Sequence, residues 1–515
     1  MRILSIGLAA ASALGLAVPA NANWYVAKSR HFIIYANDNP KRLHDFADRL
    51  EKFDQGVRAA IRSADPEVGD GNRLTVFVMP TEQAVRDVVH DKSGFFTGFY
   101  TGRVAGSLAY VPKRTGSDFD GVDQKEAIFF HEYTHHLMNQ DLDRPYPEWY
   151  VEGFAEFFST PRFQKDGSIW FGAPVQGRAW GLFNGPQMPV ESLLAGMQPK
   201  MTNEQLDVFY GRGWLLSHYL LMEARRQGQL SRYITALSKG TATLEAAKSA
   251  FGDFKQLDHE LDVYRTKPML QFKIGASNIH VGPIDVSPLS AGAAEIIQLR
   301  AKEKYDADKP GANKALEPQA RQIEAKYPGD EIVETTLAEI ELNSGDAAAG
   351  EAAADRALKS NPRNVEALVL KGRAIAERAE VSDDEDERHA MFNQARATFI
   401  AANKIDTEDP EPLMEFYSSY LSEGVRPNDN AIAALHYASD LAPQDLGVRM
   451  NSAIAYLNED KVKEARNTLA VVAYSPHAEE IGDLARRLIA AIDAGKGKAA
   501  LLELRKNTSA NSSSR

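Results

Sequence analysis

Apolar and polar positions follow two rhythms along this chain, and the rhythm changes twice. "HFIIYAN" (31–37) and "RLTVFVMP" (73–80) are short apolar runs and read as strands. Between them, Leu43, Phe46, Leu50, Phe53 and Val57 recur at spacings of three and four, which puts them on one face of a helix. "TEQAVRDVVHD" (81–91) predicts a second helix with Thr81 as its N-cap. "GFYTGRVAGSLAYVP" (98–112) is β structure punctuated by glycine. Residues 23–118 therefore predict an α/β layer with a small sheet.

Over 119–275 the period becomes helical. "KEAIFFHEYTHHLMNQ" (125–140) is one helix, and "DLDRPYP" (141–147) breaks it. "PEWYVEGFAEFFST" starts the next, with Pro147 in its first turn. Further helices are expected at 190–196, 203–226 and 229–239. Residues 276–295 are rich in Gly, Pro and Ser and read as a linker.

Residues 296–505 carry an internal repeat. Pro328 and Pro362 lie 34 residues apart, and Pro410, Pro443 and Pro476 follow one another at 33. The gap from Pro362 to Pro410 is 48, and it contains "EVSDDEDER" (380–388), read as a solvated loop insertion. A period near 34, with proline at a helix end and amphipathic helices in pairs, resembles the tetratricopeptide repeat. That resemblance implies an all-α solenoid whose concave surface receives a peptide or protein partner. Residues 506–515 predict a disordered tail.

The first residues change the setting. Arg2, the apolar run Ile3–Val18 and Ala20-Asn21-Ala22 together read as a cleaved signal peptide over 1–22. A bacterial Sec-type export signal and a periplasmic or secreted protein are expected. No later segment is apolar enough to span a membrane. With 44% hydrophobic and 25% charged residues, the 515-residue chain has an ordinary globular composition, long enough for several domains. A net charge of −12 without a basic patch argues against nucleic acid as a partner. There is no cysteine, which removes thiolate nucleophiles and sulfur-ligated zinc. Any metal must be held by histidine and carboxylate.

"HEYTHHL" supplies such ligands. His131 and His135, four apart on a helix, can direct imidazole nitrogens at one ion, and Glu132 lies beside that face. Zinc held there acidifies water, and the glutamate takes its proton. A third protein ligand is needed. Asp141 sits where metzincins place theirs, although Met138 stands where that turn requires glycine. Glu152 in "PEWYVEGFAEFF" is the other candidate, with Glu156 one helical turn on, placed to orient His131. His136 points away from the ligand face and reads as a polar residue at the helix flank. Glu148 reads as a first-turn residue and Trp149 as core.

"HEYTHHL" followed by "PEWYVEGFAEFF" resembles the gluzincin metallopeptidases of the peptidase MA-like type, over roughly residues 120–225. The resemblance implies an α+β fold: a zincin-like catalytic domain, small sheet plus HExxH helix bundle, ahead of the solenoid. It implies Zn2+ held by His131, His135 and Glu152, Glu132 as general base, Glu156 behind the ligands, and a downstream oxyanion donor. Tyr210 in "DVFYGRGWLLSHYLL" is the candidate donor, and His218 the alternative. The strand within 104–111 is the candidate edge for an extended peptide substrate. The exopeptidase signature Gly-x-Met-Glu-Asn is absent, which favours endopeptidase action. The rival expectation is a protein-binding module whose repeats recruit a partner while the zincin part serves as a scaffold.

Overall fold

The structure, a computed structural model, describes residues 24–91, 98–113, 124–140, 146–198, 200–307, 309–475, 478–497, 499 and 501. The expected signal peptide, the candidate ligand Asp141 and the expected tail lie outside them.

The chain is an α+β fold followed by a helical solenoid. The first part runs β1 (Trp24–Lys28), β2 (Phe32–Asn37), α1 (Pro40–Ile61), β3 (Leu74–Met79), α2 (Glu82–Val88), β4 (Phe99–Thr101), β5 (Leu108–Pro112), α3 (Gln124–Gln140) and α4 (Glu148–Phe158). It continues with β6 (Arg162–Phe163), β7 (Ile169–Phe171), α5 (Ala179–Phe183), α6 (Val190–Leu194), α7 (Asn203–Met222), α8 (Gln229–Ser238), α9 (Thr243–Phe251), α10 (Phe254–Tyr264), β8 (Phe272–Ile274) and β9 (Asp285–Pro288). A six-stranded sheet has the order β4-β5-β3-β2-β1-β9, and β6-β7-β8 form a second, smaller sheet. β2, β3 and β5 are mutually parallel, while β1, β4 and β9 join antiparallel.

Both faces of the main sheet are covered, which is why β3 reads as the near-continuous apolar run LTVFVM. Leu74 and Val76 face α1 and α3, in one core with Phe53, Phe130 and Tyr133. Phe77 and Met79 face the other way, against Val85 and Val88 of α2 and Ile297 and Ala301 of the first solenoid helix. Each such side chain contributes about 1.5–3 kcal/mol by leaving water. α1 starts where predicted. The Asn39 side chain accepts from the Lys41 N–H, and Pro40 occupies the first turn.

The solenoid comprises α11 (Ala291–Asp306), α12 (Glu317–Lys326), α13 (Glu331–Asn343), α14 (Ala347–Ser360), α15 (Val365–Glu380), α16 (Glu385–Ile405), α17 (Pro410–Ser422), α18 (Asp429–Leu441), α19 (Leu446–Asn458), α20 (Val462–Tyr474) and α21 (Glu479–Asp493). Four of the prolines mark its period because each sits beside an N-cap, and Pro476 lies outside the described residues. Asp330, Asn364 and Asp445 follow Pro328, Pro362 and Pro443 by two residues, and Asp409 directly precedes Pro410. All four caps accept backbone N–H groups of the first turn.

Three expectations need correction. The stretch 276–295 is no free linker, since β9 within it pairs with β1 and completes the sheet. The helical region 119–275 also contains the small sheet β6-β7-β8. The acidic run 380–388 is no loop insertion. Asp384 caps α16, and Glu385, Asp386 and Glu387 fill its first turn, where the helix dipole favours negative charge. The extra residues lengthen α15 and α16 to 16 and 21 residues.

The solenoid lies against the rest of the chain rather than apart from it. The Tyr110 hydroxyl donates to Ala301 O, His90 Nε2 meets Asp306 Oδ2 at 2.6 Å, and Asp70 N donates to Asp406 Oδ2 at 2.9 Å. Among the described residues, no helix is long and apolar enough to cross a membrane.

Candidate metal centre

α3 and α4 carry the motif residues, and α7 packs against α4. Close contact between α4 and α7 depends on glycine at both crossing points. A Cβ on Gly153 would meet Gly213 O at 2.2 Å, and one on Gly213 would meet Trp149 O at 2.7 Å. Trp149 is fully buried beneath the crossing, as expected, and Glu148 accepts from Met197 N.

The structure brings His131, His135 and Glu152 together, with ligand atoms within 4.8 Å of one another. His131 Nε2 and His135 Nε2 are 3.2 Å apart. Glu152 Oε2 stands 3.3 Å from the first and 3.6 Å from the second. Tetrahedral ligands about 2.0–2.1 Å from zinc stand about 3.3–3.4 Å from each other. The three atoms therefore have the spacing of one face of a zinc tetrahedron, and the donor set fits the ion. Glu152 is 1% exposed and His135 5%, whereas His131 is half-buried.

The electrostatics are those of a site preloaded with negative charge. Burial alone would lower the His131 pKa, but the carboxylates of Glu152, Glu156 and Glu132 outweigh it and push it up to about 9. Burial opposes ionisation of Glu152, yet His135 and His131 hold its carboxyl well below the usual range. Two or three carboxylates facing two imidazoles are what a divalent cation replaces protons on.

Glu132 is close enough for its charge to act on His131, Tyr210 and Tyr100. Tyr210 projects from α7 with its ring 6.4 Å from that of His131. Burial and the Glu152 charge push its pKa upward, so the hydroxyl stays protonated and able to donate. His218, the alternative donor, is elsewhere. It is fully buried, with Nδ1 on the Tyr264 hydroxyl and Nε2 near the carbonyls of Gly172 and Leu270. Glu156 Oε1 is 3.7 Å from His131 Nδ1, longer than a hydrogen bond.

Arg178 explains that distance, and sequence reasoning did not single it out. Its guanidinium binds Glu156 Oε1 at 2.6 Å and Asp207 Oδ1 at 3.0 Å, and lies 4.9 Å over the Tyr210 ring. One cation thus ties the carboxylate behind His131 to the candidate oxyanion donor. No local pattern around "VQGRAWG" marks it.

His136 is the second departure. It is no flank residue: it is 4% exposed, stacked on Tyr133 at 5.3 Å, and its Nδ1 meets the Tyr100 hydroxyl at 2.8 Å. Burial, with the charges of Arg58 and His31, pushes its pKa down to about 3, so the ring is neutral. Tyr100 lies on β4, and β4 rather than 104–111 is the outer strand of the sheet on this side.

A second cluster, His31, Asp54 and Asp65, also has ligand atoms within 4.8 Å. It is an ion network instead. Arg58 Nε already sits 2.7 Å from Asp54 Oδ2, and His31 is held between Glu51 at 2.7 Å and Asp65 at 2.9 Å.

No protein-family profile and no curated protein matches the sequence. Among solved structures, a thermophilic TPR protein of Thermus thermophilus is similar at 17% identity and a TM-score of 0.29, covering 38% of this chain and 91% of its own. A MamA RS-1 ArsTM double mutant is similar at 15% identity and a TM-score of 0.26, covering 35% of this chain and 91% of its own. The paired-helix array described above is read from this chain's own packing.

Proposed function

We propose that the chain is an exported zinc-dependent metallopeptidase of the gluzincin type, acting as an endopeptidase on peptide or protein substrates. His131, His135 and Glu152 would hold the ion, which supplies Lewis-acid activation of water and of the scissile carbonyl. Glu132 takes the proton of the attacking water and passes it to the leaving amine nitrogen. The Tyr210 hydroxyl donates to the oxyanion as it forms. Arg178 and Glu156 hold His131 and Tyr210 in mutual register. β4 is the strand beside which an extended substrate backbone would lie. A periplasmic or secreted location follows from the N-terminal segment read as a signal peptide.

The observation that carries this reading is the His131–His135–Glu152 triangle with sides of 3.2, 3.3 and 3.6 Å, with the Glu132 charge beside it. The test is zinc content together with cleavage of a broad peptide library, with and without chelator. About one zinc per chain and chelator-sensitive cleavage are expected. Purified chain that takes up no zinc, or cleavage indifferent to chelator, would refute the proposal. The rival reading, a repeat module recruiting a partner with an inert zincin part, loses some of its docking surface to the contacts that the repeats make with the sheet.

A further inference from the structure

The side of α3 turned away from the ligands lies on α1. Tyr133 is two residues from His131 and two from His135, about 200° round the helix from each, so it occupies the opposite face. Glu126, Phe130, Tyr133 and Leu137 recur along that face, and all four are buried. Arg49 Nη2 donates to Glu126 Oε2 at 2.9 Å. Phe53 stacks on Phe130 with ring centroids 4.2 Å apart, and the Tyr133 hydroxyl donates to Asp54 Oδ1 at 2.8 Å. Arg49, Phe53 and Asp54 all belong to α1, so the contacts advance together along the two helices.

Asp54 is held from two other sides. Arg58 Nε donates to its Oδ2 at 2.7 Å and its Oδ1 at 3.1 Å, and Arg58 Nη1 donates to Ala64 O at 2.6 Å. His31 Nδ1 lies 3.7 Å from Asp54 Oδ2, with Glu51 and Asp65 fixing that imidazole in turn. Asp54 is 0% exposed and Tyr133 1%, so water does not substitute for either partner. The hydrolytic mechanism uses none of these buried ions. A buried ion network also adds little net stability over apolar packing of the same volume. What it supplies is direction. Apolar contact is non-directional and opposes sliding along a helix axis only weakly, whereas a hydrogen bond to a fixed carboxylate admits one position. A slip of one residue moves a helix about 1.5 Å, and metal ligands tolerate about 0.2 Å.

We infer that the buried network of His31, Asp54 and Arg58 sets the register of the metal-binding helix through the Tyr133 hydroxyl. Tyr133 is then a positioning residue, and Asp54 is its fixed point. The metal readouts of this inference rest on the site proposed above, and its exchange readout does not.

The experiment compares the full chain with Tyr133→Phe and Phe53→Leu. Tyr133→Phe removes one oxygen and keeps the ring against Phe32 and Phe129, at 5.0 and 5.9 Å. Phe53→Leu thins the apolar contact between the same two helices and leaves the hydrogen bond intact. Four quantities are measured: zinc affinity by chelator competition, the visible absorption of cobalt(II) put in place of zinc, the melting temperature, and hydrogen exchange over 129–138. Tyr133→Phe should weaken zinc binding about tenfold, change the cobalt spectrum, and speed exchange over 129–138 about tenfold. Phe53→Leu should lower the melting temperature at least as far, yet keep the wild-type cobalt spectrum and a zinc affinity within about twofold of wild type. Wild-type affinity and spectrum in Tyr133→Phe overturn the inference. Loss of zinc by both variants in proportion to their loss of melting temperature, as packing alone would give, overturns it as well. Wild-type chain that binds neither metal overturns the metal reading instead, and exchange then decides the register. Faster exchange over 129–138 in Tyr133→Phe than in Phe53→Leu supports it, and equal or slower exchange overturns it.

Discussion

Replacing Gly153 by alanine puts a methyl group where α4 and α7 touch. The new Cβ would lie 2.2 Å from Gly213 O and 2.4 Å from both Gly213 C and Ser217 Oγ. Two of these three atoms are backbone, so no rotamer change relieves the clash, and α7 must retreat by about 1 Å to restore van der Waals contact. Overpacking of this kind costs about 3 kcal/mol at the upper end of its range. Alanine returns about 1 kcal/mol of helix propensity. The net loss is about 2 kcal/mol, or about 30-fold in an equilibrium constant. The geometry suffers with the energy. Ligand atoms must sit within about 0.2 Å of their places, so a shift of α4 that carries Glu152 away from the histidines should weaken zinc binding about 10–100-fold. Thermal melting and chelator competition measure the two effects, and Gly213→Ala, which would meet Trp149 O at 2.7 Å, should reproduce them. Wild-type melting and wild-type zinc affinity in Gly153→Ala would refute the argument from the crossing.

Glu132→Gln should keep zinc and the fold while peptide cleavage falls by several orders of magnitude, as kinetics on the metal-loaded variant will show. Zinc titration should rank Glu152→Ala as weakest by orders of magnitude, Glu156→Ala and Arg178→Gln as about 10–100-fold weaker, and Asp141→Ala as silent. His31 gives a pH signature. Burial opposes its protonation, but Asp54 and Glu51 raise its pKa, so its stabilising charge is complete below 6.5 and is lost as pH rises through the raised value. Its partners Glu51 and Asp65 are held below 4.5 and 3.8, so their share is lost as pH falls through those depressed values. Melting curves of wild type and His31→Gln should therefore differ most in the window between, and converge as pH rises past the raised His31 value. Removing residues 290–515 would expose Phe77, Met79 and Tyr110, now covered in part by Ile297 and Ala301, and soluble expression of the remainder should collapse.

What the sequence revealed depended on how far each interaction reaches. His131 and His135 were legible because helix geometry fixes residues four apart on one face, and β3 because both its faces are buried. The solenoid was legible through its prolines, since Pro328, Pro362, Pro410 and Pro443 each flag an N-cap. The acidic run at 384–387 was misread because charge density alone does not separate a solvated loop from the first turn of a helix, whereas the Asp384 cap does. β9 was missed because "DVSP" is four half-exposed or exposed residues, joined to the sheet only through backbone pairing with β1. Tyr210 came from family resemblance. Arg178 and the Gln444–Ser107 contact had no local signal at all. The latter joins residues 337 apart, and nothing near either one marks the pairing.

Arrays of repeated helix pairs ordinarily tolerate gain or loss of a unit, because each unit needs only its neighbours. This array is fixed at two points. α11 is seated on the sheet through Ile297 and Ala301, and the turn before α19 is seated on Val104 and Ser107 of the same sheet's β4–β5 connection. Inserting a unit between them would displace the second seat by about two helix spacings of 8–10 Å, far beyond the reach of Asp445 or Gln444. The unit number between α11 and α19 is therefore set by the span of the sheet. Units added after α20 would be free of that constraint, and it is there that the protein has room to vary in length.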